Sequence, residues 1–121
     1  MNLGAVLVLL RNMVPLSHEM LMVGGGSKSR LWRQIFADIY QMDCLKTNID
    51  QDAGSLGAAA VAAVGVGLWD GFAKVDGVHR IESVQKPIPL NVEKYRRLMP
   101  AFEMARKHQA ELGDLLHSID I

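Results

Sequence analysis

The sequence predicts an α/β fold that holds only part of a larger sheet. Short apolar runs, with the length of buried strands, alternate along the chain with longer segments of helical periodicity. Such alternation is typical of parallel strands joined by right-handed helical crossovers. The runs predict two strands, and two strands are too few for a stable sheet. We therefore expect either additional strands from elsewhere or an incomplete domain.

The composition favours a packed domain and argues against nucleic-acid binding. Among 121 residues, 50% are hydrophobic, and 13 Lys and Arg balance 13 Asp and Glu. Binding of a phosphate backbone needs a basic excess on at least one face. The single cysteine, Cys44, excludes an internal disulfide and is expected to be buried or inert. We expect a cytoplasmic protein without a nucleic-acid partner.

Residues 3–13 form the first predicted helix. They are mostly apolar and contain no turn signal before Pro15, which opens a break that runs to residue 19. The apolar run is shorter than the ~20 residues that span a bilayer, and it lacks the basic leader of a signal peptide. We expect a buried helix and no membrane partner.

A strand, a glycine turn and a helix come next. Residues 21–23 are apolar and lead into Gly24–Gly26, which is typical of a buried strand that feeds a tight turn. Ser27 or Ser29 can cap the helix that follows.

That helix carries two adjacent apolar rows, which predict a broad core-facing surface. The rows are Leu31, Ile35 and Ile39, and Trp32, Phe36 and Tyr40. The polar residues Arg30, Arg33 and Asp38 are expected on the more hydrated side of the helix.

Residues 44–49 predict the second strand, and residues 53–68 predict a helix built largely from small residues, mostly Gly and Ala. Asp50 or Asp52 is expected to cap this helix. Each glycine in a helix costs ~1 kcal/mol relative to alanine, and that cost is understandable if a neighbouring backbone packs closely against it.

The remaining chain predicts an irregular stretch of roughly twenty residues, then a final helix. The irregular stretch contains a turn at residues 76–77 and breakers at Pro87 and Pro89. Asn91 is the expected cap of the final helix, and Pro100 is expected to kink it. Its apolar row consists of Tyr95, Leu98, Phe102 and Ala105.

Glycines beside a helix N-terminus favour the binding of anions and nucleotides. Three interpretations of the glycine turn can be compared with the sequence. A P-loop is excluded, since Ser27 precedes Lys28 and Met22 stands where the first glycine is needed. A dinucleotide fingerprint would use Gly24, Gly26 and position 29, with Asp50 as the ribose-binding acid. A plain turn without a ligand also fits the pattern.

Two longer segments add a resemblance to a known family. Residues 23–39, Val-Gly-Gly-Gly-Ser-Lys-Ser-Arg-Leu-Trp-Arg-Gln-Ile-Phe-Ala-Asp-Ile, resemble the adenosine-site segment of FGGY carbohydrate kinases, particularly xylulokinase-like members. Residues 52–67 resemble the small-residue helix that follows in those kinases, and residues 79–102 resemble their C-terminal tail. The resemblance covers nearly the whole chain.

The resemblance implies a partial actin-like, ribonuclease-H-like ATPase domain, namely the C-terminal half without its first strands. Residues 1–121 would be the C-terminal portion of the nucleotide-binding domain, with residues 103–121 as a helical tail. ATP and Mg²⁺ would lie between two halves, with Mg²⁺ held mainly outside this chain. By position, Gly25, Gly26, Ser27 and Arg30 would contact the adenosine. Lys28 is expected to be solvated.

The family's catalytic base and phosphate loops lie upstream of the matching segment, so the resemblance implies no catalytic residue here. No metal ligands are expected either, since the four histidines lack metal-ligand spacing; they are His18, His79, His108 and His117. We expect the chain alone to be inactive, and the intact enzyme to phosphorylate a xylulose-like sugar from ATP. The rivals are a non-catalytic oligomerising fragment, as a homodimer or paired with the missing half, and a dinucleotide-binding oxidoreductase fragment.

Overall fold

A three-stranded mixed sheet forms the centre of the fold. The computed structural model describes residues 1–119, apart from the side chains of Asn2 and Asp50. The strands are β1 (Glu19–Met22), β2 (Asp43–Thr47) and β3 (Ile81–Gln85), in the spatial order β1-β2-β3. β1 and β2 are parallel, which confirms the predicted pairing.

The third strand, β3, lies in the stretch that the sequence predicts to be irregular. It pairs antiparallel with β2, and Lys46 on β2 forms an ion pair with Glu82 on β3. The expectation of an irregular stretch is therefore wrong for residues 81–85. These five residues alternate poorly between polar and apolar, so their strand depends on pairing with β2 and not on a local pattern.

Four α-helices accompany the sheet: α1 (Asn2–Met13), α2 (Arg30–Tyr40), α3 (Ala53–Gly65) and α4 (Pro89–His117). The order confirms the predicted alternation of helices and strands. Ser29 caps α2, with its Oγ accepting from the Trp32 amide at 3.3 Å. α4 is continuous through Pro100 and includes residues 103–117 of the predicted tail.

The predicted start of α4 at Asn91 is wrong. The helix begins at Pro89, with Ile88 at the N-cap position. Proline is favoured in the first turn of a helix because its fixed φ suits the helix and its missing N–H would be unbonded there. Asn91 lies inside that turn, and its side chain contacts α2.

The predicted core-facing surface of α2 is also only partly correct. Leu31 and Trp32 are 70% and 54% exposed, whereas Arg33 and Asp38 are 7% and 2% exposed. The expectation that Arg33 and Asp38 lie on the hydrated side is wrong. Both side chains are buried because hydrogen bonds to other elements satisfy them.

Few apolar side chains are buried within residues 1–119, and most of them are small. The buried apolar residues are Ala37, Met42, Cys44, Ala60 and Ala63. Along α3, a Cβ built on Gly54, Gly57 or Gly65 would meet no atom within 4 Å, so the closely packed neighbour expected there is not found among residues 1–119. Over the same range, none of the helices combines the length and apolarity needed to cross a membrane.

Candidate functional site

The glycine turn lies at the carboxyl end of β1 and continues as a 3₁₀ turn over Gly25–Lys28. Gly24 has φ 84° and ψ −174°, a backbone conformation that is essentially restricted to glycine. The turn is closed internally: the amide and the hydroxyl of Ser27 both donate to the carbonyl of Gly24, at 3.0 and 2.7 Å. The backbone is therefore shaped by Gly24 and Ser27 together.

The sequence-predicted site residues lie in two environments. Gly25, Gly26 and Arg30 are exposed, so they can meet a ligand. Ser27 is fully buried, and its hydroxyl faces the turn. The structure brings Gly25, Gly26 and Ser27 together in one turn and places Arg30 on the first turn of α2.

A second turn, the 3₁₀ segment Asp50–Asp52, lies beside the glycine turn. Lys28 donates from Nζ to Oε1 of Gln51 at 2.8 Å. A Cβ on Gly25 would lie 3.6 Å from Nε2 of Gln51, an ordinary contact distance. Gln51 was not predicted as a site residue; a glutamine between two aspartates carries no sequence signal for this role.

The open side of the turn is available to a ligand. A Cβ built on Gly24 would meet no atom within 4 Å. A Cβ on Gly26 would lie 2.9 Å from Cε of Met22, so this part of the turn lies close to a side chain of β1. The turn therefore has open space at Gly24 and support from β1 at Gly26.

An apolar cavity of about 200 Å³ adjoins the turn at the carboxyl ends of β1 and β2. In open α/β sheets, this end of parallel strands is where ligands bind. The lining residues are Leu21, Val23, Thr47, Ile49, Ala53, Leu56, Gly57, Val75 and His79. The cavity can accept a flat apolar group, since hydrocarbon side chains provide most of its walls.

Arg33 lies beneath the turn. Its Nε donates to Oε1 of Gln85 on β3, and one terminal nitrogen donates to the carbonyl of Ser27. Burial raises the pKa of the nearby Cys44 thiol, and the positive charge of Arg33 opposes that rise. Sequence reasoning missed Arg33 because an arginine beside the apolar rows of a helix resembles a surface residue. It missed Gln85 because that residue lies in a strand that was predicted to be irregular.

The sequence predicts no metal ligands among its histidines, one of which lies at the cavity. Across residues 1–119, no group of three or more His, Cys, Asp and Glu side chains is placed to hold a metal ion. His79 lines the cavity, and its Nδ1 lies 3.1 Å from the carbonyl of Val75. The open backbone at Gly24 and the apolar walls of the cavity suit binding through backbone and apolar contacts.

The comparisons with known proteins agree, since the matched family and relatives are all carbohydrate kinases. Residues 12–66 match the C-terminal domain of the FGGY family of carbohydrate kinases. An uncharacterised sugar kinase of Escherichia coli (strain K12) is 40% identical over 78 residues, covering 64% of this chain and 16% of that protein. A xylulose kinase of Lactococcus lactis is 31% identical over 100 residues, covering 81% of this chain and 20% of that protein.

A solved structure supports the fold independently. Ligand-bound xylulose kinase from Lactobacillus acidophilus superposes with a TM-score of 0.70 at 22% identity, covering 88% of this chain and 22% of that one. The chain thus spans about a fifth of the length of the proteins that it matches.

Proposed function

We propose that this chain, whose residues 12–66 match the C-terminal domain of the FGGY family of carbohydrate kinases, forms the C-terminal, ATP-binding portion of a sugar kinase. The mixed α/β fold with its small sheet suits part of an actin-like, ribonuclease-H-like domain. Residues 1–121 are the C-terminal portion of the nucleotide-binding domain in this proposal, and residues 103–121 are its tail. The protein acts in the cytoplasm.

The glycine turn beside the apolar cavity is the observation that carries the proposal. An adenosine group needs close approach to backbone and an apolar surface for its base. The open face of Gly24 and Gly25 supplies the first, and the cavity of about 200 Å³ supplies the second. The turn is preformed, since Ser27 closes it with two hydrogen bonds.

Each proposed site residue has a distinct role. Gly25 and Gly26 present backbone to the nucleotide, and Arg30 stacks on the base or contacts the ribose from the start of α2. Ser27 acts from below by holding the turn, since its side chain is fully buried. Lys28 is kept at the rim by Gln51 and is not assigned to phosphate.

The chemistry of the intact enzyme would use other parts of the protein. A sugar hydroxyl attacks the γ-phosphorus of ATP, its proton passes to a base, and ADP leaves with the bridging oxygen. Mg²⁺ neutralises phosphate charge in such reactions, but the described residues offer no carboxylate cluster that fits the ion. We therefore assign the base and the Mg²⁺ ligands to regions outside this chain, and we expect the chain alone to be inactive.

The proposed acceptor is a xylulose-like sugar. The support is the relative named xylulose kinase, which shares 31% identity over 81% of this chain. The sugar contacts themselves are assigned to the other half of the enzyme, so substrate choice is tested only with a full-length protein.

Self-association is a second property that the structure favours. Apolar side chains on α1 and α2 are widely exposed, including Leu9 at 64% and Leu31 at 70%. Apolar surface of this kind is normally covered by another domain or another chain. We propose that the isolated chain forms a homodimer, or pairs with the remaining half of the kinase.

Thermal unfolding with added nucleotide tests the proposal. A ligand that binds only the folded state raises the unfolding temperature. ATP or ADP should stabilise the chain, and NAD should not. Stabilisation by NAD alone would instead favour the dinucleotide reading.

A further inference from the structure

We propose that Arg33 is a positioning residue that fixes the glycine turn in its ligand-accepting shape. The inference rests on the proposed function for its link to nucleotide binding. The part of the inference that concerns the shape of the turn depends only on contacts of Arg33 within this chain. Arg33 does not touch the open face of the turn; it acts through the carbonyl of Ser27.

The burial of Arg33 is unusual for its residue type. Arginine is almost never buried unless its donors are bonded, and this side chain is only 7% exposed. Two acceptors on different elements receive its donors: the carbonyl of Ser27 in the turn and Oε1 of Gln85 at the end of β3. The guanidinium thereby joins the turn, α2 and the edge strand of the sheet.

The backbone hydrogen bonds within the turn are local, so a buried donor from outside the turn adds to them. They join Ser27 to Gly24 and Ser29 to Gly26, all within six positions of the chain. Glycine loses more conformational freedom on folding than any other residue, and three glycines adjoin here. A hydrogen bond from a buried, sheet-anchored donor restricts this freedom at the carbonyl of Ser27, directly after the glycine run.

Arginine suits the role better than lysine. The guanidinium presents several donors in a rigid plane, so it can bind two acceptors in different directions at once. A lysine has one nitrogen at the end of a flexible stem and cannot reproduce that geometry. A preorganised turn binds its ligand more tightly, because less ordering remains to be done on binding.

Hydrogen exchange at the Ser27 and Ser29 amides directly measures how far Arg33 keeps the turn closed. In Arg33→Met, exchange at both amides should be at least about tenfold faster, since a turn without its anchor opens more often. Amides of the β1–β2 pairing should keep their rates. Arg106→Met is the matched control: Arg106 is exposed on α4 and pairs only locally with Glu103, so the turn should be unaffected.

A double variant distinguishes the loss of the anchoring hydrogen bond from general unfolding of the chain. Arg33→Met leaves Gln85 without its donor, whereas Arg33→Met combined with Gln85→Met removes both partners and keeps the site apolar. The double variant should fold and still show fast exchange at Ser27 and Ser29. Arg33→Lys should give an intermediate rate.

ATP affinity, measured by titration of the same proteins, tests the link to the ligand. The double variant should bind ATP about tenfold more weakly than the parent chain. Unchanged exchange at Ser27 and Ser29, or unchanged ATP affinity despite faster exchange, would overturn the inference. If the parent chain binds no ATP while the variants show fast exchange, the proposed function fails and the role of Arg33 in shaping the turn is upheld.

Discussion

Asp38 on α2 accepts a hydrogen bond from the side-chain amide of Asn91 on α4, with Oδ2 and Nδ2 2.9 Å apart. Its other oxygen accepts from the Ile88 amide at 2.7 Å and from Nε2 of Gln34 at 2.9 Å. A carboxylate at a helix N-terminus is favourable, because the amides there are otherwise unbonded and the helix dipole is positive. Asp38 thus caps α4 from a different helix.

Removal of this carboxylate should loosen the junction between α2 and α4. Asp38→Ala leaves three donors without their acceptor in a site that is 2% exposed. We expect a loss of about 2–4 kcal/mol in the free energy of unfolding, measured by urea denaturation. Asp114→Ala, an exposed substitution on the same helix as Asn91, should change stability by less than about 0.5 kcal/mol. Equal effects from the two substitutions would contradict the capping role.

The contacts of Arg33 and Asp38 show where sequence reasoning failed. Both residues lie beside the apolar rows of α2, outside the predicted core-facing surface, where a helical pattern predicts exposure. Their burial depends on Gln85, Ile88 and Asn91, which follow about fifty positions later. Local periodicity cannot reveal such partners.

The local elements were predictable because their signals are local. The apolar run before Gly24 predicted β1, and the two serines, Ser27 and Ser29, predicted the start of α2, where Ser29 is the cap. β3 was not predictable, since its strand is established by pairing with β2. At the candidate site, the glycine turn could be found from sequence, whereas Gln51 and Arg33, which support it, could not.

Alanine substitution of two glycines should have opposite effects on stability. Both Gly24 and Gly54 have open space around a built Cβ, so steric contact does not distinguish them. Gly24 has φ 84°, and alanine there is strained by about 1–3 kcal/mol. Gly54 lies in α3, where alanine should add about 0.5–1 kcal/mol. Denaturation of Gly24→Ala and Gly54→Ala checks the signs, and a stabilised Gly24→Ala would contradict the turn geometry.

Stability should fall in alkaline solution. Burial raises the pKa of the Cys44 thiol above its ordinary value of 9.0, and burial also raises the pKa of Tyr40 above 10.0. The folded state therefore holds these protons more tightly than the unfolded state. The resulting stability is complete below about pH 9 and declines as pH rises through the folded-state pKa values. Urea denaturation between pH 7 and about pH 10.5 measures the decline, which should be shallower in Cys44→Ala.

Self-association should be detectable at tens of micromolar by light scattering, on the scale of ordinary association tests. Exposed apolar residues on α1 and α2 supply the driving force, among them Leu9 and Leu31. The combined substitution Leu9→Gln and Leu31→Gln should shift the equilibrium toward monomer. A parent chain that is monomeric at this concentration would remove the support for a homodimer.

The ATP-binding role of the glycine turn is tested most directly by residue-specific nuclear magnetic resonance during nucleotide titration. Addition of ATP or ADP should shift the amide signals of Gly24, Gly25, Gly26 and Arg30. The nucleotide is added up to about 1 mM, a concentration at which a binding free energy of roughly 4 kcal/mol is detected. Signals of residues 103–117, far along α4, should stay in place, and NAD should shift none of the turn signals. ATP and ADP that leave the turn signals unchanged, or NAD that alone moves them, would contradict the account.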